Sequence, residues 1–231
     1  MSRVFRFALV GLAMAGVASV ANAQACVGMP SFSVGSARVG GNMLIGDNAK
    51  SYGAEAALGS HNGLFVVGNY SHAKDDNSDG SSNAGGATLG YEYTVNAENQ
   101  VQFCPMVGVN VQTGSLVGLT PMPNHPQNTL DWHVGGSLGW TASESSSMSV
   151  IPAIGAAFVG RSYKAKIVTQ GAANPSTTDS FGLVTASIGF VFNKRCTIAP
   201  MVQVPVSELN GKTAYGVAVS YNFNLPKALH M

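Results

Sequence analysis

Two residues of this chain, Asp131 and His133, have the types and the spacing of a general acid–base pair. They flank Trp132 in a stretch where apolar residues alternate with small or polar ones, which is the pattern of a β-strand. Residues two apart on a strand lie on the same face, so the carboxylate could orient the imidazole as a general base. Asp131 and His133 are therefore the candidate catalytic residues.

Three further ionisable residues, Glu55, Glu92 and Arg161, fall on inward polar faces of the same kind. An enclosed charge must pair or meet water, because an unpaired buried charge is very costly. We therefore expect Glu55 and Glu92 to face Arg161 in a structural network; the alternative is a polar lining for small solutes. The predicted lumen-lining network is Glu55, Glu92, Asp131, His133 and Arg161, with Asn69, Gln102, Asn110 and Gln203 as neutral neighbours.

Neither the loops nor the cysteines predict a metal or cofactor site, so no cofactor is expected. The acidic stretch 74–80 resembles a calcium loop but lacks the full alternating ligands and the closing glutamate. The most apolar loop, 116–126, would fold over the mouth or touch a partner. Cys26, Cys104 and Cys196 resemble no metal site; one disulfide with an odd thiol is possible, and its connectivity stays open.

The elements that must position these residues are short strands. The last one has Tyr215, Val217, Val219, Tyr221 and Phe223 on one face and small or polar residues on the other. The same period of two recurs in ten stretches, whose lengths fit the roughly 9–11 residues of a transmembrane strand. The ten predicted strands are 31–40, 51–60, 63–72, 85–95, 100–112, 129–141, 148–161, 180–192, 196–206 and 213–223.

The predicted connections alternate in length along the chain. Bacterial outer-membrane barrels have short periplasmic turns and longer extracellular loops. With the N-terminus in the periplasm, all the longer loops fall outside and all the short turns inside. The short turns are 60–62, 96–99, 142–147 and 193–195, and the longer loops are 41–50, 73–84, 113–128, 168–179 and 207–212.

The first 23 residues have the features of a secretory signal peptide. Arg3 and Arg6 form a positive region, residues 7–20 form an apolar core, and Ala21–Ala23 supplies the small-x-small cleavage pattern. We therefore predict a cleaved signal at 1–23, which exports the rest of the chain.

A transmembrane anchor and a lipoprotein signal are the alternatives to a cleaved signal. An anchor needs about 20 apolar residues, and this run is shorter. A lipoprotein signal would be lipidated at Cys26, but residues 23–25 lack the leucine-like residue and small pair that such signals carry. We therefore predict one β-barrel domain over 24–231, with 224–231 as a C-terminal tail.

The charge composition excludes one class of partner and favours a membrane. Without the two leader arginines, 10 Lys+Arg remain against 11 Asp+Glu, so no basic stripe for nucleic acid exists. Only 10% of residues are charged, against roughly 25% in soluble domains. The low charge content suits a membrane protein, yet no apolar run after the leader is long enough for a transmembrane helix. A closed barrel accounts for both observations, because only alternate residues of its strands need be apolar.

The predicted fold is an all-β, antiparallel, up-and-down transmembrane barrel of ten strands. Eight strands are the alternative if the first hairpin, which carries Arg38 and Glu55, packs otherwise. A periplasmic β-sandwich is the rival fold. In a sandwich the apolar residues of the last strand would form a core with a second sheet.

The leader, the hairpin repeat and the closing strand resemble the small outer-membrane β-barrel families of Gram-negative bacteria, the OmpA-, OmpX- and Opa-like group. In that group the last strand is a signal for the barrel-assembly machinery, and Gly216, Val219, Tyr221 and Phe223 resemble this signal. The tail 224–231 departs from the pattern, because the family usually ends at the terminal aromatic residue.

Asp131 and His133 are also similar to half of the catalytic set of the omptin surface proteases. The other half, an Asp-x-Asp pair, is missing here: Asp75 and Asp76 are adjacent and would point to opposite faces.

We therefore predict a non-enzymatic integral outer-membrane barrel with a structural or surface-interaction role. A narrow pore for small solutes is the alternative, and an omptin-like hydrolase is the third hypothesis. The expected partners are outer-membrane lipid and lipopolysaccharide, the barrel-assembly machinery through the last strand, and an extracellular ligand at the loops.

Overall fold

The computed structural model describes residues 36–46, 49–60, 62–76, 80–96, 101–114, 116–117, 120–121, 127–164, 176–206 and 213–224. The predicted signal peptide, 1–23, and the tail beyond residue 224 lie outside the described residues and stay predictions. No helix long and apolar enough to cross a membrane is found in these ranges.

The described residues form ten long strands and four short ones. The long strands are β1 (Ser36–Ile45), β2 (Ala49–Gly59), β3 (Leu64–Asp75), β4 (Ser81–Tyr91), β6 (Val101–Gly114), β9 (Gln127–Trp140), β11 (Met148–Lys164), β12 (Ser176–Phe192), β13 (Cys196–Pro205) and β14 (Ala214–Asn224). The short ones are β5 (Tyr93–Asn96), β7 (Leu116–Val117), β8 (Thr120–Pro121) and β10 (Ser143–Glu144).

The long strands pair in sequence order, each antiparallel to the next, and β14 returns to pair with β1. The short strand β5 follows β4 and pairs with the same neighbour, β6. The predicted closed, antiparallel barrel of ten strands is therefore confirmed. The eight-strand alternative is wrong, because the first hairpin, β1–β2, is part of the closed ring.

Two predicted boundaries differ from the structure at the first hairpin. The first strand was expected at 31–40, whereas β1 continues to Ile45, and residues 31–35 lie outside the described ones. The expected long loop at 41–50 is only 46–48. Gly40, Gly41 and Asn42 continue the ladder, and both neighbouring strands pair with them.

Large apolar side chains on the outer face are exposed all around the barrel. On β14, Val217, Val219, Tyr221 and Phe223 keep 38–46% of their surface accessible. The β-sandwich rival is therefore wrong, because it would bury them under a second sheet. A continuous apolar outer surface is the surface that a transmembrane barrel presents to lipid.

The inner face is filled by small residues and a few larger apolar ones. Phe65, Ala57 and Cys104 form one buried cluster, and Ile151 with Val191 forms another. Both clusters lie toward the end of the barrel that carries the short turns. Ile151 and Cys104 have no accessible surface, so the lumen is tightly packed at this end.

The two ends of the barrel differ in their connections. At one end the strands are joined by short turns, such as 193–195, where Asn193 and Lys194 have φ of 50° and 59°. Two consecutive positive φ values suit a tight hairpin turn, whose twist matches that of the strands. At the other end the chain between consecutive long strands spans 115–126, 165–175 and 206–213, where long loops were predicted at 113–128, 168–179 and 207–212.

Candidate functional site

Asp131 and Arg161 form the tightest polar contact described in the lumen. They lie opposite each other on β9 and β11. The guanidinium donates from Nε to Oδ1 at 2.8 Å and from Nη2 to Oδ2 at 2.7 Å. The guanidinium carbon also lies 5.3 Å from the centre of the Phe181 ring. A bidentate pair stacked on an aromatic ring is a strong and geometrically rigid contact.

His133 lies two residues from Asp131 on the same inward face but contacts a different group. Its Nε2 is 3.2 Å from the Thr88 hydroxyl. Its ring lies across Gly108, where an added Cβ would come within 2.4 Å of the ring. The ring therefore lies over β6 and reaches β4, and no hydrogen bond to Asp131 is found among the described contacts.

This arrangement does not form the predicted catalytic pair. Both carboxylate oxygens of Asp131 accept from Arg161, so they do not orient the imidazole of His133. A general base needs its proton-accepting nitrogen directed at a substrate, whereas the Nε2 of His133 is directed at Thr88. The strand alternation placed both residues on the inward face correctly, but sharing a face did not make them partners.

The second ionic contact in the lumen is between Arg38 on β1 and Glu55 on β2. Nε of Arg38 lies 3.6 Å from Oε1 of Glu55, and the arginine side chain is only 5% exposed. The charge of Glu92 also acts on Arg38. The expectation that Glu55 faces Arg161 is therefore wrong, because Glu55 lies against Arg38 and Arg161 pairs with Asp131 instead.

Sequence reasoning did not include Arg38 among the lumen residues, although Arg38 lies within the predicted first strand, 31–40. Arg38 shares its parity with Gly40 and Asn42, which is the inward parity of β1. An inward glutamate on the next strand also requires a cation nearby. These two signals together could have identified Arg38.

The remaining predicted features are scattered. In the acidic stretch 74–80, Asp76 forms an exposed ion pair with Lys50, in which Nζ lies 3.1 Å from Oδ1. Residues 77–79 lie outside the described ones. The part of the chain that the structure describes holds no group of three or more metal-ligating side chains. In the apolar loop 116–126, β7 pairs with β8, and residues 122–126 lie outside the described ones.

The cysteines differ in state and position. Cys104 is inward, fully buried and disulfide-bonded. Cys196 is free, and its cross-strand partner Tyr221 is on the outer face. Cys26 lies outside the described residues. One disulfide together with an odd thiol is thus present, as the cysteine count allowed.

The predicted assembly signal lies on the closing strand β14. Val219, Tyr221 and Phe223 point outward, and the rings of Tyr221 and Phe223 meet edge to face at 4.8 Å. Gly216 points inward, opposite Leu44 of β1. These residues therefore form the seam that closes the barrel.

Comparisons with known proteins give structural likeness only. No protein-family model matches the chain, and no curated protein matches it. Solved barrels that match include the N-terminal β-barrel domain of Pseudomonas aeruginosa OprF, with 10% identity, 82% of this chain and 98% of that chain covered, and a TM-score of 0.37. The β domain of the Bordetella autotransporter BrkA matches with 9% identity, the same two coverages and a TM-score of 0.48. The Yersinia pestis outer membrane protein Ail matches with 10% identity, 82% and 99% coverage, and a TM-score of 0.36.

Proposed function

We propose that this chain is a non-enzymatic outer-membrane barrel with a structural or surface-interaction role. The observation that carries the proposal is that the ionisable groups of the lumen neutralise one another. Both carboxylate oxygens of Asp131 accept hydrogen bonds from Arg161, and Arg38 lies against Glu55. Groups used in this way hold the wall together and are not free to bind or cleave a substrate.

Packing at the short-turn end supports a barrel that is not an open channel. Phe65, Cys104 and Ile151 all point inward there and are at most 3% exposed. A ten-stranded barrel is also much narrower than the 16–18-stranded porins that leave an aqueous channel. The loops at the opposite end are then the surface on which we propose that a partner binds.

The last strand supports a proposal about assembly and lipid partners. The backbone edge of β14 is free to pair with another protein until β1 pairs with it, and Val219, Tyr221 and Phe223 face outward on this strand. We propose that the barrel-assembly machinery recognises this strand, and that outer-membrane lipid and lipopolysaccharide then contact the apolar belt.

A narrow path for small solutes is the second candidate, and one observation favours it. Asn69 belongs to the inward face of β3, yet its side chain is exposed, so part of the lumen is accessible to water. A polar, water-accessible wall at mid-height would suit a small hydrophilic solute better than a packed interior would.

Conductance in planar lipid bilayers separates these two functions. The mature protein, refolded and checked for heat-modifiable gel migration, should give no steady conductance above the lipid baseline. Discrete, reproducible channel steps would reject the closed barrel and establish the pore.

A peptide-cleavage assay tests the absence of catalysis. The wild-type protein and His133→Ala should be indistinguishable from a protein-free blank. Cleavage that the wild type supports and His133→Ala abolishes would establish the hydrolase and overturn our proposal.

A further inference from the structure

A cavity of about 130 Å³ lies on the inner side of β9, β11 and β12. Its lining includes Ser137 of β9, Gly155 of β11 and Thr185 of β12, which are directly opposite one another across the three strands. The cavity is distinct from the ionic contacts described above, since neither Asp131 nor Arg161 lines it.

The sequence of β11 explains why space is left at this place. Three successive inward positions of this strand are Ala153, Gly155 and Ala157. Together they contribute only two methyl groups to the lumen, so space is left beside this strand. Leu183 lies opposite Ala157, and Met106 of β6 also lines the cavity.

The lining is largely apolar and uncharged. The side chains of Met106, Ala153, Ala157 and Leu183 supply carbon, whereas the polar groups are the hydroxyls of serine and threonine. Among the described residues that line the cavity none carries a charge. A charged guest would therefore be desolvated without a counter-charge, which is very costly.

The size of the cavity limits the guest to a few heavy atoms. An apolar protein cavity of about 150 Å³ accepts benzene or xenon. We propose that this cavity binds a small, uncharged and largely apolar molecule with one hydrogen-bonding group, of the size of phenol. The apolar part packs against Leu183 and Met106, and the polar group bonds to a hydroxyl such as that of Thr185.

Gly155 offers a substitution that fills the cavity without moving the wall. A Cβ added there meets its nearest atoms, Gly136 O and Ser137 Cβ, at 3.4 Å, which is ordinary contact. Gly155→Leu therefore projects its side chain into the cavity. Gly68→Leu is the matched control, because Gly68 lies on the lipid-facing side of β3 and an added Cβ there is 3.9 Å from Ala56 O.

The experiment follows 4-fluorophenol by fluorine NMR in the presence of the refolded protein in nanodiscs, with empty nanodiscs subtracted. Wild type and Gly68→Leu should bind saturably, whereas Gly155→Leu should bind at least tenfold more weakly. The anionic probe 4-fluorobenzoate should bind none of the three proteins.

Two results would overturn the proposal: no saturable binding of 4-fluorophenol to the wild type, or equal binding to wild type and Gly155→Leu. Heat-modifiable gel migration verifies that each variant has folded. If Gly155→Leu does not fold, Ala157→Leu replaces it, because it fills the same cavity from the next inward position. Equal binding of 4-fluorophenol to wild type and Ala157→Leu would then overturn the proposal.

Discussion

The two ionic contacts of the lumen have the same chemistry but different geometry. Arg161 and Asp131 meet in a bidentate contact of 2.8 and 2.7 Å, and a phenylalanine ring lies beneath the guanidinium. Arg38 and Glu55 lie 3.6 Å apart, beyond hydrogen-bond distance for these two atoms, although Arg38 is the more buried arginine.

The difference follows from where the partners lie on their strands. Arg161 and Asp131 are directly opposite on neighbouring strands, so the edge of the guanidinium can meet the carboxylate with two parallel hydrogen bonds. Arg38 is opposite Ala57, and Glu55 is opposite Gly40, so this pair is diagonal. Glu92 adds a second negative charge near Arg38. The contact between Arg161 and Asp131 therefore depends on direct cross-strand pairing. The charge of Arg38, in contrast, interacts with two carboxylates, those of Glu55 and Glu92.

The largest expected effect is that of Asp131→Asn. The substitution leaves Arg161 without its counter-charge in a largely buried site, and we expect a loss of about 3 kcal/mol in the free energy of unfolding. The measurement is urea unfolding in lipid vesicles, followed by tryptophan fluorescence. Asp76→Asn makes the same chemical change in the exposed pair with Lys50 and should cost less than about 0.5 kcal/mol. Equal losses in the two variants would contradict the importance of the bidentate pair.

Arg161→Lys should have a smaller effect, because it keeps the charge. A lysine cannot make two parallel hydrogen bonds to Asp131 and stacks less well on Phe181, so we expect a loss of about 1.5 kcal/mol in the same unfolding measurement. Arg195→Lys, at an exposed turn, is the control and should leave the unfolding free energy unchanged within error. An unaffected Arg161→Lys would mean that charge alone stabilises this contact.

Glu55→Gln should have the smallest effect of the three. Its contact with Arg38 is longer than a hydrogen bond, and the charge of Glu92 still acts on Arg38, so we expect a loss of about 1 kcal/mol. Glu144→Gln at the exposed pair with Lys194 provides the baseline in the unfolding assay. A loss larger than that of Asp131→Asn would reverse the comparison between the two contacts.

The alternation of the sequence was sufficient to predict the faces of the strands. Glu55, Asp131, His133 and Arg161 were all assigned to the inward side, and that is the face on which each one lies. Side chains alternate with a period of two, and lipid solvates one face only, so parity separates inward from outward residues without knowledge of the neighbouring strands. The number of strands followed from counting these stretches.

Parity could not predict which inward residues would meet. A shift of two residues between neighbouring strands keeps every side chain on its face but changes every cross-strand partner. From parity alone, Asp131 could contact either His133 or Arg161. The register of β9 and β11 places Asp131 opposite Arg161. Arg38 became a partner of Glu55 for the same reason.

The sequence by itself thus determined ten alternating strands and the residues that face the lumen, whereas the leader at 1–23 stays a prediction. Only the tertiary structure decided the register of β14 against β1, the partner of each charge and the cavity beside Gly155. The physical reason is that alternation is a local property of one strand, whereas register and closure depend on hydrogen bonds between strands that are distant in the chain.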